Sequence, residues 1–176
     1  MEISLKNQVA IITGSSSGIG AAIAKSMAES GATVVINYPY EGSLEKANTV
    51  LKEIMDQGGN GIVYQCDVSK EEEVIKMFQD VVQELGTVDI LVNNAGIQKD
   101  AKFTDMTLDQ WNAVIGVNLT GQFLCAREAI KEFLRRGIDP SRSVACGKII
   151  HISSVHEIIP WAGHANYASS KGAIKM

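Results

Sequence analysis

The amino-acid sequence predicts an α/β fold, a doubly wound parallel sheet with helices on both faces. Three observations predict it. Short β-branched runs alternate with longer segments of helical period along the chain. Glycines fall where each helix should end. A glycine-rich turn, Thr13-Gly-Ser-Ser-Ser-Gly-Ile-Gly20, separates the first strand from the first helix.

Val9 to Thr13 is apolar enough for a buried strand, and Gly18 to Ser30 follows as a helix closed by Gly31. Thr33 to Asn37 is the second strand. Glu41 to Gln57 is helical and stops at Gly58-Gly59, before a third strand from Ile62 to Cys66. Ser69-Lys-Glu-Glu72 has the pattern of a capping box and opens a helix that runs to Leu85. Val88 to Val92 is the fourth strand. Thr107-Leu-Asp-Gln110 is a second capping box, starting a long helix to about Arg136. Lys148 to Ile152 is strand five, and a final helix begins near Gly163. Strand and helix in strict alternation require right-handed crossovers and a parallel sheet. No linker, repeat or low-complexity tract divides the 176 residues, so one dinucleotide-binding domain over 1–176 is expected.

The composition is that of a globular domain, 45% hydrophobic and 20% charged. A net charge of −4 with both signs interspersed offers no basic stripe for nucleic acid. Cys66, Cys125 and Cys146 are odd in number and form no Cys-x-x-Cys pair, which fits reduced thiols in the cytoplasm. No apolar run approaches a membrane span, and the first residues have no basic segment leading into an apolar one. His151, His156 and His164 follow no metal-ligand spacing, so no metal is expected.

Tyr167 and Lys171 lie four residues apart and so share a helix face. A fixed cation beside a phenol favours the phenolate, which makes proton exchange with a substrate hydroxyl feasible. The glycine-rich turn supplies the other half of a site. Its glycines, with a helix start behind them, suit a diphosphate. Two loops share the same sheet edge: Asp67-Val68 and Asn93-Asn-Ala-Gly96. Asp67 is placed either to meet an adenine amino group or to start a turn ahead of Ser69, and the second loop either lets a cofactor approach or is a turn held by asparagine side chains. At the end of strand two stands the neutral Asn37, with no Arg or Lys before Lys46, which favours NAD over NADP.

Taken in order, Thr13-Gly-x-x-x-Gly-Ile-Gly20, Asn93-Asn-Ala-Gly96, Asn118, Ser154 and Tyr167-x-x-x-Lys171 resemble the short-chain dehydrogenase/reductase family across the whole chain. The resemblance implies a Rossmann-type fold and an NAD(P)-dependent alcohol/carbonyl oxidoreductase. It implies Tyr167 as acid/base, with Lys171 tuning it and bonding the nicotinamide ribose. It further implies Ser154 on the substrate oxygen and Asn118 holding a relay water through its backbone carbonyl. Asn118 also reads as an amide satisfied by neighbouring backbone, and Ser153 competes with Ser154, although Ser154 has the family's spacing of thirteen residues to Tyr167. Gly14, Ser16, Gly18, Ile19, Gly20, Asn37, Asp67, Val68, Asn94, Ala95 and Gly96 are the expected cofactor contacts, with Tyr167 and Lys171.

The segments Ser153 to Trp161 and Asn118 to Leu124 are similar to bacterial glucose 1-dehydrogenases, which points to an aldose, with His156, Glu157, Trp161 and Gln98 as candidate contacts or merely loop packing. A 3-oxoacyl reductase is the alternative enzyme, and a nucleotide-binding or oligomerising module without catalysis the alternative of another class. The family's assembly through its long helices implies a dimer or tetramer. Met176 follows Lys171 by only five residues, so the sequence reads as cut short, with an unpaired apolar edge expected at strand five.

Overall fold

The computed structural model describes residues 4–176. Five strands form one parallel sheet: β1 (Val9–Ile12), β2 (Thr33–Tyr38), β3 (Asn60–Gln65), β4 (Ile90–Asn93) and β5 (Lys148–His151), in the order β3-β2-β1-β4-β5. Six α-helices accompany them: α1 (Gly18–Glu29), α2 (Leu44–Asp56), α3 (Glu71–Leu85), α4 (Leu108–Ile115), α5 (Gly121–Arg136) and α6 (Ala165–Ile174). From β1 the chain winds outward through β2 and β3, then crosses back to β4 on the other side of β1. The strand order therefore reverses between β1 and β4, and a crevice opens there at the carboxyl ends of the strands.

The period-two alternation of the strands builds two cores. Val9 and Ile11 of β1 enter a core with Met77 and Phe78 of α3 and Cys125 and Phe133 of α5. Ala10 and Ile12 enter the opposite core with Ala24 of α1 and Val50 and Ile54 of α2. Burial on both faces explains why these strands read as continuous apolar runs.

The structure alters two helix expectations. The helix expected to open at Ser69 starts at Glu71, with Lys70 at its cap. Ser69 donates instead to Asp67 Oδ1, by its Oγ at 2.8 Å and its amide at 3.0 Å, while Glu73 accepts from the Asp67 amide. Asp67 is the stronger, charged acceptor and wins the serine from the helix. Glu71, Glu72 and Glu73 then complement the positive end of α3. The Thr107 box forms as expected, with Gln110 as its partner. The long helix it opens is not uniform: Gly116–Thr120 is a π-helical turn between α4 and α5, and Asn118 lies within it. The final helix begins at Ala165, two residues after Gly163.

Among the described residues β5 is an edge strand paired only to β4, and Ile150 is partly exposed on it. Behind β4, buried Asp89 accepts from the Val9 amide at 2.8 Å and meets Arg142 at 3.2 Å; Arg136 approaches its other oxygen at 3.1 Å as an ion-pair contact. No helix among the described residues is long and apolar enough to cross a membrane.

Candidate active site

The glycine turn is braced from three strands. Asn37, at the end of β2, accepts from the Gly14 amide at 2.9 Å and donates to the Cys66 carbonyl at 2.9 Å. Ser15 Oγ donates to Ile12 O and accepts from the Asn37 amide. Asn94, after β4, donates to Thr13 O and Gly14 O at 2.9 and 3.1 Å. Gly14 has φ of +63°, and a Cβ there would come within 2.9 Å of Ala95 Cα. Gly20 lets α1 approach the same loop, since a Cβ would meet Asn94 Nδ2 at 2.5 Å. Glycine at these two positions is thus a packing requirement.

Above the turn lies a crevice of about 350 Å³. Gly14, Ile19 and Gly20 line one wall, Asn94, Ala95 and Gly96 the other, and Asp67 and Val68 close the end. Ser16 and Gly18 face a different hollow between α1 and α2, whereas neighbouring Ser17, absent from the sequence-based expectation, lines the crevice. Ser17 makes no side-chain cap bond, and no acidic residue occupies the first turn of α1. The amides at that helix start are therefore free to meet an anion, as a diphosphate requires. Asn37 borders the crevice, but its amide is committed to the turn and to β3, so its side chain acts as a brace. Pro39, Ile97 and Val117 complete the lining; apolar residues at loop ends carry no distinguishing sequence signal. Cys66 lies on the floor. Burial, with the charges of Glu73 and Asp67, pushes its thiol up to about 12.

A second hollow of about 390 Å³ adjoins the first and shares Ile19, Asn94, Gly96 and Ile97 with it. Tyr167, Lys171, Ser153 and Gln98 line this one. Lys171 is 3% exposed, donates to Ile152 O at 2.6 Å and has its Nζ 5.7 Å from the centroid of the Tyr167 ring. Burial holds its ammonium below the usual lysine value. Ser153 Oγ is buried with no hydrogen-bond partner among the described residues. Ser154 caps the short helical turn Val155–Glu157 and accepts from the His156 amide at 3.3 Å. Of the two serines, Ser153 borders the hollow.

The Asn118 side chain is wholly buried. It accepts from the Ile97 amide at 2.8 Å and donates to Ile97 O at 3.0 Å and to Ser170 Oγ at 3.2 Å. Ser170 in turn donates to Tyr167 O at 2.7 Å. The amide thus ties the loop after β4 to the helix of Tyr167. Beside Tyr167 the His156 ring stacks on Trp161 at 4.4 Å, and Trp161 stacks on His164 at 3.4 Å. His156 meets the Tyr167 ring edge-on at 6.4 Å. No group of three His, Cys, Asp or Glu among the described residues is arranged to hold a metal ion.

The short chain dehydrogenase family model matches residues 8–176. The chain belongs to this family. A 3beta-hydroxysteroid dehydrogenase of Eggerthella lenta is 42% identical over 172 residues, 98% of this chain and 62% of that protein. A crystal structure of a gluconate 5-dehydrogenase from Burkholderia cenocepacia, in complex with NADP and tartrate, superposes with a TM-score of 0.87 at 36% identity, covering 99% of this chain and 64% of the other. A dehydrogenase/reductase from Sinorhizobium meliloti gives 0.87 at 35% identity, over 98% and 64% of the two chains. The chain thus spans under two thirds of the length of these relatives. Family membership supports NAD(P) as the cofactor, and the Burkholderia cenocepacia neighbour is in complex with NADP.

Proposed function

We propose that the chain carries the dinucleotide site and the acid/base of a cytoplasmic NAD(P)-dependent oxidoreductase that interconverts an alcohol and a carbonyl. One observation carries this reading: Tyr167 and Lys171 line a hollow continuous with the crevice over the glycine turn. When bound, the nicotinamide supplies or accepts the hydride. Gly14, Gly20 and the start of α1 would hold its diphosphate end, and Asn94, Ala95 and Gly96 would flank it. Tyr167 as phenolate takes the proton from a substrate alcohol in oxidation, and as phenol gives it back in reduction. Lys171 supplies a positive charge beside the ring, anchored by Ile152 O. Ser154, by the family's spacing, or Ser153, by its free hydroxyl in the hollow, donates to the substrate oxygen, where charge develops. The Asn118 backbone carbonyl serves the proton relay while its side chain holds Ile97.

The proposed substrate is a polyhydroxylated one of the aldose type. The His156–Trp161–His164 stack offers a flat apolar wall beside Tyr167, and Gln98 offers a polar group in the same hollow. Such a mixture suits a sugar, polar at its rim and apolar on its faces. The test incubates the purified chain with NAD or NADP and glucose, gluconate or an acetoacetyl thioester, following nicotinamide absorbance. Turnover with glucose that disappears in Tyr167→Phe, at unchanged nucleotide affinity, is expected. Turnover with the thioester alone would give a 3-oxoacyl reductase, nucleotide binding without hydride transfer a non-catalytic module, and turnover retained by Tyr167→Phe would refute the acid/base assignment.

A further inference from the structure

Two asparagines grip the loop after β4 at points two residues apart. Asn118 holds both backbone groups of Ile97, and Asn166 donates to Lys99 O at 2.9 Å. Asn166 is wholly buried and stands beside Tyr167. Its Oδ1 accepts from the Tyr167 amide at 2.8 Å, and its Nδ2 also reaches Gln110 O at 3.3 Å, in the first turn of α4. Three elements, α4, α6 and the loop, therefore meet on one amide. Two flanking contacts join the same loop to the start of α6: the Ala101 amide donates to Gly163 O at 3.0 Å, and His164 Nε2 lies 3.2 Å from Asp100 Oδ2.

A loop held at one point pivots; a loop held at two keeps its orientation. Ile97, at one grip, and Gln98, between the two, are loop residues that line the same hollow as Tyr167 and Lys171. We propose that Asn166 is a positioning residue that, paired with Asn118, pins Ile97–Lys99 to the helix of Tyr167 and so sets the gap between the acid/base and the wall facing it. The inference rests on the reading of Tyr167 given above. Asn166 touches no reacting atom; it acts through the placement of Tyr167 and Gln98, and small misplacements of reacting groups are costly in rate.

Asn166→Ala removes the grip, and Asn166→Asp keeps the acceptor for the Tyr167 amide while losing the donor to Lys99 O and Gln110 O. Asp100→Ala loosens the same strap from the exposed side and spares the core should the buried variants fold poorly. Both Asn166 variants are expected to lose kcat by about tenfold or more, with nucleotide affinity within about twofold of the parent. Amide hydrogen exchange across Ile97–Ala101 is expected to quicken by about tenfold or more in both while exchange in β1 and β2 stays as in the parent; Asp100→Ala moves both readouts the same way by less. Unchanged exchange in that loop with unchanged kcat overturns the inference, as does loss of nucleotide binding in proportion to kcat, which marks a merely structural role. Absence of turnover in the parent chain overturns the enzymatic reading instead, and the loop exchange, which needs no turnover, then decides the positioning role alone.

Discussion

Gly20→Ala is the sharpest perturbation of the nucleotide end. The added methyl would lie 2.5 Å from Asn94 Nδ2 and 2.6 Å from Gly14 O, between the two partners of a hydrogen bond that closes the turn. To admit it, α1 must move outward and Asn94 must release Thr13 O and Gly14 O. Two lost hydrogen bonds cost about 1 kcal/mol each, and forced expansion of a tight contact costs about 1–3 kcal/mol. The better helix propensity of alanine returns about 0.5–1 kcal/mol. A net destabilisation of about 2–4 kcal/mol is expected in urea unfolding, together with a loss of NAD(P) affinity of about tenfold or more by fluorescence titration. Gly18→Ala is the matched control. Its φ is +57° with nothing within 4 Å of the new methyl, so backbone strain of about 1–2 kcal/mol appears without obstruction of the crevice. If Gly20→Ala bound nucleotide as the parent does and unfolded within about 0.5 kcal/mol of it, the close approach of α1 to Asn94 would not be what the turn depends on.

Asp89→Asn should lower stability by about 1–3 kcal/mol in urea unfolding, because Arg136 and Arg142 lose a buried carboxylate while keeping Cys146 O and Asp139 as partners. Stability should also fall as pH drops below about 6.5. Burial depresses the His151 imidazole, so in that range the unfolded chain binds the extra proton and the folded one does not. His151→Asn should flatten that slope in thermal melts across pH; an unchanged slope would exclude His151 as its source. In native protein at pH 8, Cys66 and Cys125 should resist alkylation, since burial raises both thiols and Cys66 titrates only at about 12; rapid labelling of either by mass spectrometry would contradict their burial. The stability those two thiols lend is present below the ordinary thiol value and is lost as pH climbs past it toward the raised folded one.

What the sequence made legible is what depends on neighbours along the chain. The glycine turn, the apolar strands, the Thr107 box and the Tyr167/Lys171 spacing are local patterns, and the structure contains each of them. The features that escaped join distant segments. Asn37 read as a cofactor contact; it borders the crevice, but nothing near it in the chain shows that its amide also joins Gly14 to Cys66. Ser69 read as a cap, but the carboxylate of Asp67 competes for it. Nothing around Asn166 announces that it will meet Lys99 and Gln110, because the partners face each other only once the sheet has wound. That the Ser153 hydroxyl finds no partner among the described residues, likewise, shows only once the chain has folded.

The wide turn at Gly116–Thr120 has one more implication. Such a turn holds one residue more than a regular coil would, and each residue advances a helix by about 100°. Excising a single position there would close the wide turn into a regular coil with both flanks kept in place, whereas excising one from the regular coil of α5 would swing everything upstream by that angle and carry the Thr107 end of the rod away from α6. A relative whose rod is regular throughout would therefore align to this chain only with a one-letter gap at that place, and a comparison made without the gap would put the wrong side chain in the place of Asn118.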